Sequence, residues 1–185
     1  MNLLYLTDVF CPWCYGFAPV MRRLAAEHPE LPVRVLGGNL MDEPQTLTGM
    51  LEEYPTIREF FARLQETTGQ STEHFRQALE QAVAGTGPDL LMHSPAMNLP
   101  LAAAMADPAI RSAARHDAAE AEEVMGEFLL YPTLYLEHDG QRTLLARGYS
   151  DYAGVRAKLD DALRGVRESP VAQGAACGLD GKCCF

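Results

Sequence analysis

The 185-residue chain is short of several things, and each shortage narrows what it can be. Basic side chains are outnumbered, 15 Lys and Arg against 25 Asp and Glu, for a formal net charge of -10. With no Lys/Arg cluster in view, that balance argues against a nucleic-acid partner and against an anionic membrane, both of which would repel it. Long apolar runs are missing as well, none approaching the ~20 residues that span a bilayer. The opening Met1-Asn2-Leu3-Leu4-Tyr5-Leu6 has no basic n-region and no small-residue cleavage site, so with Met1 as the native start the expectation is a cytoplasmic protein. Cysteine occurs five times, too few for a disulfide scaffold in a chain whose 48% hydrophobic share can build a core of its own. The histidines (His28, His74, His93, His116 and His138) are scattered, and no second Cys-x-x-Cys supplies the other half of a four-ligand zinc site. Tryptophan occurs once, as Trp13, and that one lies between two cysteines.

What is present has a clear order. Asn2 to Thr7 is a nearly continuous apolar run, the pattern of a buried strand. After Asp8-Val9-Phe10 and the cysteines, Cys14, Phe17, Met21 and Leu24 recur at helical spacing, and Pro29 follows the expected helix end. Val33 to Leu36 reads as a second strand. Four helices should follow: one around Ile57, Phe60, Phe61 and Leu64, opened by Pro55; one around Phe75, Leu79 and Val83, behind Ser71/Thr72; one from Ser94-Pro95; and one from Asp107-Pro108 to Met125, stopped by Gly126. Thr133–Glu137 and Arg142–Arg147 are strand-like on either side of Asp139-Gly140, a hairpin signal, and Ser150 is expected to cap a last helix. From Ser169 the pattern turns to Pro, Ala and Gly and loses its period, as a tail does. The fold class is therefore α/β, with β-α-β, a helical insertion, and β-β-α. Residues 1–40 and 127–166 form one domain, 41–126 the insertion and 167–185 a cysteine-containing tail.

Chemistry concentrates in Phe10-Cys11-Pro12-Trp13-Cys14-Tyr15, where a strand hands over to a helix. Cys11 falls at the helix N-cap, where unpaired N–H groups and the positive dipole end favour a thiolate. Its sulfur is expected to face solvent, with a pKa lowered from about 8.5 into the ~3.5–7.5 range of such sites, and to be the attacking nucleophile. Cys14 lies three residues on, on the buried stripe, and should resolve the mixed disulfide. Pro12 suits a first turn that has no use for its missing N–H. Trp13, with Phe10 and Tyr15, should give the site an apolar rim suited to extended polypeptide. Asp8 would oppose the thiolate if its side chain turned inward. The competing reading is a thiol-based metal-binding or chaperone-like module in which the cysteines are ligands.

The strand–CPWC–helix unit near the N-terminus resembles the DsbA-like branch of the thioredoxin superfamily, and most closely its FrnE-like members, which carry the same Cys-Pro-Trp-Cys-Tyr run. Tyr131-Pro132-Thr133 before the hairpin is similar to that superfamily's cis-proline motif. The helical block between the second strand and that motif, with Ser94-Pro95-Ala96 ahead of an Ala-rich stretch, matches the architecture over about residues 2–165. The resemblance implies a thioredoxin-like fold with an α-helical insertion. It also implies a protein disulfide oxidoreductase or isomerase in which Cys11 and Cys14 are the redox pair and Pro12, Trp13, Tyr131 and Pro132 bound the substrate. Pro132 would leave the backbone of Tyr131 free to pair with a peptide. The partners implied are protein or peptide thiols and disulfides, together with a reducing or oxidising agent such as glutathione or a thioredoxin-like protein. No organic cofactor and no metal is implied. The insertion is shorter than in typical FrnE-like proteins, and Tyr131 replaces the smaller residue or Phe that many relatives carry, a change that bears on redox poise.

Cys177, Cys183 and Cys184 stand apart from this scheme. By random-coil scaling, the stretch from Val166 to Cys177 spans roughly 20 Å end to end. Four readings stay open: a relay or resolving thiol for Cys11, a small closed loop between Cys177 and Cys183, a soft-metal site, or no role at all.

Overall fold

The structure is a computed structural model, and it describes residues 1–94, 108–126 and 129–168, with no side chains for 108–115 or 167–168. Its centre is a four-stranded sheet in the order β2-β1-β5-β6. Strand β1 (Asn2–Thr7) runs parallel to β2 (Val33–Gly37), from Leu3 opposite Val33 to Thr7 opposite Gly37. On its other side β1 pairs antiparallel with β5 (Thr133–His138), which turns into β6 (Gln141–Arg147). The turn is the expected Asp139-Gly140, both at positive φ (48° and 75°), as a two-residue hairpin requires.

The apolar run of β1 is explained by its place between two neighbours and two packed faces: Leu3, Leu4 and Leu6 are fully buried. Each such leucine contributes roughly 1.5–3 kcal/mol by leaving water. Helix α1 (Pro12–Glu27) packs Phe17, Val20, Met21 and Leu24 onto one sheet face with Leu3, Tyr5, Leu134 and Leu136. The last helix contributes Val155 and Leu159 to the same layer. A register shift between Leu134 and Tyr135 lets consecutive residues Leu145 and Ala146 of β6 both turn inward, which strict alternation would forbid.

Between β2 and β5 the chain leaves the sheet. A short strand β3 (Gln45–Thr46) leads into helix α2 (Leu47–Glu53), followed by α3 (Ile57–Thr68), α4 (Glu73–Val83) and strand β4 (Leu91–Met92), which pairs antiparallel with β3. Helix α5 (Pro108–Met125) returns to the sheet and ends at Gly126 with φ 68°, as expected. Gly16 lets α1 and α3 approach closely: a Cβ there would stand 2.5 Å from Thr68 Cγ2.

Three local expectations need correction. Pro55 precedes the Thr56 cap of α3 and is not its first helical residue. Thr72 occupies the cap position of α4, but its hydroxyl donates to the Phe61 carbonyl (3.2 Å) and so ties α4 to α3. The last helix, α6 (Tyr152–Glu168), is capped by Asp151, whose carboxylate accepts the Gly154 N–H at 2.8 Å, and Ser150 is left outside. The helix expected from Ser94-Pro95, beyond Ser94 itself, and the tail with Cys177, Cys183 and Cys184 lie outside the described residues.

Candidate active site

The site forms where β1 ends and α1 begins. The carbonyl of Asp8 accepts the Cys11 N–H at 3.1 Å, which folds the intervening loop back beneath the helix. Cys11 is the N-cap of α1, in extended conformation, and its Sγ accepts the Cys14 N–H at 3.3 Å. Pro12 takes the first helical position, where its lack of N–H costs nothing. The Tyr131–Pro132 peptide bond is cis, and the Tyr131 carbonyl accepts the Cys11 thiol at 3.5 Å. Residues 120 apart in sequence thus meet at one sulfur. Cys11, Cys14, Pro12, Trp13, Tyr131 and Pro132 are assembled within one neighbourhood.

The expectation of an outward-facing Cys11 fails: it is 5% exposed, as buried as Cys14. A cap position alone would leave the sulfur in water. Here Tyr131 closes one side, and Ala121 and Met125 of α5 join the same cluster with Leu4, Leu6, Leu36 and Tyr135. In this dithiol state the carbonyl of Tyr131 also accepts the Cys11 thiol.

Charge is distributed over the pair as a unit. Cys11 gives a hydrogen bond to Cys14 and is buried, and both effects push its pKa well above the usual thiol range. Burial opposes the charged form of Cys14 too, but hydrogen bonds from Cys11, Thr7 and the Asp8 N–H outweigh it and hold its pKa below the usual value. The lowering expected at Cys11 is found at Cys14 instead, because Cys14 receives the hydrogen bonds from Cys11 and from the end of β1. Tyr5, beneath the pair, has its phenol pushed up by burial and by the neighbouring Cys14.

The apolar rim differs from the one expected. Trp13 is half-buried, edge-on to Phe60 (centroids 5.8 Å apart) and tilted against Tyr149 (6.0 Å). Tyr15 points away, its hydroxyl donating to the Ser71 carbonyl at 2.9 Å and its ring against Phe75 of α4. The exposed apolar residues flanking the site segments are Val9, Leu40, Leu129 and Leu130. No periodicity marks them, since each sits in a loop.

Asp8 has turned inward and is 2% exposed. Its carboxylate accepts the N–H groups of Phe10 (2.8 Å) and Leu40 (3.0 Å) and the Ser94 hydroxyl (3.1 Å). Ser94 in turn accepts the Met41 N–H (2.8 Å) and donates its own N–H to the Met41 carbonyl (2.9 Å). Gly38 is the other residue that sequence reasoning passed over. A Cβ there would fall 2.3 Å from the Tyr131 ring, so that ring occupies space only glycine leaves open. Burial pushes the phenol of Tyr131 up to about 12, against the opposing effect of the Asn39 N–H that it accepts. Among the described residues no group of three or more His, Cys, Asp or Glu is arranged to hold a metal ion, and no helix is long and apolar enough to cross a membrane.

No protein-family model and no curated protein matches the chain. Solved structures do. A protein from Nitrosomonas europaea assigned as a protein disulfide isomerase superposes with a TM-score of 0.62 at 18% identity, over 88% of this chain and 97% of that one. The cytosolic disulfide reductase DsbM from Pseudomonas aeruginosa superposes with a TM-score of 0.59 at 20% identity, over 89% of this chain and 99% of its own. DsbM with GSH gives the same score and identity. The chain has the DsbA-like thioredoxin fold, with its helical insertion between β2 and the cis-proline strand.

Proposed function

We propose that this chain is a cytosolic thiol–disulfide oxidoreductase that acts on disulfides of polypeptides through Cys11 and Cys14. The observation that carries the reading is the position of the Cys11 sulfur, 3.3 Å from a helix N-terminal N–H and 3.5 Å from the carbonyl preceding a cis proline. A sulfur so placed has donors for a thiolate and an adjoining backbone edge for an extended substrate.

In the reductive direction, the proton that the pair retains passes from Cys11 to Cys14, the Cys11 thiolate attacks one sulfur of a substrate disulfide, the S–S bond breaks, and the departing sulfur takes a proton. Cys14 then attacks the Cys11 sulfur of the mixed disulfide and releases the second substrate thiol. The protein is left with a Cys11–Cys14 disulfide, two electrons having passed to substrate. Glutathione, the small molecule present with DsbM, is the proposed partner that restores the dithiol, two GSH becoming one GSSG. Pro12, Trp13, Tyr131 and Pro132 bound the substrate, and the Cys-Pro-Trp-Cys-Tyr run places the chain near the FrnE-like proteins.

Insulin reduction, with wild type and Cys11→Ser compared at equal concentration, tests the reading. Turnover by wild type and its loss in the variant is the expected result. Turnover that survives Cys11→Ser, or stoichiometric zinc on the purified wild type, would overturn it in favour of a metal-binding module.

A further inference from the structure

Charge is distributed unevenly around the site, and the functional scheme makes no use of it. Three segments converge on Cys11: residues 1–21 bring β1 and the cysteines, 35–57 leave β2 past Gly38, and 116–141 bring the end of α5, the cis proline and β5. None of the three contains a lysine or an arginine, while they carry one, four and seven Asp and Glu respectively. Residues 77–110 contain no lysine or arginine either.

Several of these acids stand at the surface beside the sulfurs. Asp42 is exposed and accepts the Asn39 side-chain N–H at 2.7 Å, and Asn39 is the residue whose backbone N–H meets the Tyr131 phenol. Glu43 follows it and is exposed as well. Glu122 and Glu123, also exposed, precede Met125 on α5, which packs in one cluster with Cys11, Cys14 and Tyr131. Among the described residues none of these four carboxylates has a cationic partner. Arg34 is no counterweight, since it is paired with Glu120. Arg147 reaches this face, where it donates to the Tyr135 hydroxyl at 3.2 Å.

The remaining surface beside the sulfurs is apolar. Val9 and Leu40, 52% and 49% exposed, are drawn together by Asp8, whose carboxylate accepts the Leu40 N–H at 3.0 Å. Leu129 and Leu130, 53% and 46% exposed, lead into Tyr131. Trp13 is half-buried, with Phe60 and Tyr149 as ring neighbours and no cation over it among the described residues. Apolar side chains flanked by unpaired carboxylates and an indole complement a chain that is itself apolar and positively charged. An anionic disulfide meets repulsion at the same rim.

We propose that the site selects polypeptide disulfides that carry lysine or arginine beside the reacting cysteine. Val9, Leu40, Leu129 and Leu130 are the apolar seat, and Asp42, Glu43, Glu122 and Glu123 are the attracting rim. The proposal deepens the reading of Cys11 and Cys14 as a redox pair and rests on it. Rim charges act on encounter more than on the chemical step, so the selection belongs to the second-order rate constant and weakens as salt screens it.

The test uses reduced wild type and three self-quenched peptide disulfides that differ only in the residues flanking each cysteine: lysine, glutamine or glutamate. Single-turnover reduction is followed by fluorescence at about 20 and about 500 mM NaCl, above and below the screening length that spans the rim. Each rate constant is divided by that of the same peptide with dithiothreitol, which removes the peptide's own reactivity. At low salt the lysine peptide should outpace the glutamate peptide roughly tenfold, with glutamine between them. At high salt the three should agree within about twofold. Glu43→Gln/Glu122→Gln should cut the low-salt ratio to about threefold or less. Glu30 lies beyond the end of α1 and Asp139 beyond β5, each about 20 Å or more along its element from the site. Glu30→Gln/Asp139→Asn makes the same change in net charge and should leave the ratio near that of wild type. Equal rates for the three peptides at low salt overturn the proposal. So does an equal loss of the ratio in both double variants, because net charge and not the rim would then govern. Reduced wild type that cleaves none of the peptides contradicts the dithiol reading itself, an outcome distinct from failure of the charge proposal.

Discussion

The two faces of the central sheet are built from the same strands but to different specifications. On the α1–α6 face, Leu3, Phe17, Leu24, Leu134, Leu136, Leu145, Val155 and Leu159 meet as an almost purely hydrocarbon layer. On the other face, Leu4, Leu6 and Leu36 share their space with Cys11, Cys14, Tyr131 and Tyr135, and α5 closes the layer with Ala121 and Met125. One residue of offset along β1 separates them, because successive strand residues point to opposite sides. The hydrocarbon face can hold the fold with little specificity of arrangement. The sulfur face must keep two thiols, two phenols and a buried carboxylate each supplied with partners, and it does so with backbone groups of separate segments together with the side chains of Ser94 and Arg147. Stability and reactivity are thereby divided between the two sides of one sheet.

Substitutions on the two faces should break in different ways. The largest effect belongs to Cys11→Ser, expected to lower disulfide-reducing turnover at least about a hundredfold while the denaturant midpoint barely moves. Next comes Phe17→Ala on the opposite face, expected to cost about 3–5 kcal/mol in a urea titration while leaving turnover per folded molecule near wild type. If Phe17→Ala instead removed activity without unfolding the chain, the division between faces would not hold. Gly38→Ala is an intermediate case: the new methyl must displace the Tyr131 ring. Overpacking of this kind costs about 1–3 kcal/mol, and on the sulfur face it should depress turnover as well.

A pH effect follows from Tyr131. Its phenol is held neutral up to about pH 12, against an ordinary value of 10.0. The folded state therefore keeps a proton that the unfolded chain releases. The stabilisation is complete below the ordinary value and is lost as pH rises from there through the folded one, roughly 2–3 kcal/mol in all. Urea titrations at pH 9 and pH 11.5 should show that fall in wild type and a smaller one in Tyr131→Phe. The smallest expected effect is that of ending the chain at Ser169. If Cys177, Cys183 and Cys184 are spectators, its glutathione-dependent turnover will match wild type within about twofold, whereas a larger loss would assign them a relay role.

Much of the fold was legible in the residues because its signals are local. The continuous apolar run of β1, the 3–4 spacing of α1, Asp139-Gly140 at the hairpin and Gly126 after α5 each act over a few positions. The pairing of β3 with β4 was not legible. Two-residue strands have no period to read, and Gln45 meets Met92 only through the chain that lies between. The site divides along the same line. Cys11, Cys14 and Tyr131-Pro132 are recognisable as short runs, and their meeting follows from the architecture. The burial of Cys11 is not a property of its neighbours in sequence: it comes from α5 and from Tyr131, over 100 residues away. Gly38 and Ser94 were overlooked for the same reason, since what distinguishes them is the ring and the carboxylate brought against them.

The most direct test of the account is to trap the intermediate it requires. Cys14→Ala, incubated with a peptide disulfide and quenched in acid, should accumulate one mixed disulfide, located by peptide mapping at Cys11, while Cys11→Ala under the same conditions should form none. Equal adducts at Cys14 in Cys11→Ala, or no adduct in either variant, would contradict the assignment of Cys11 as the attacking thiol.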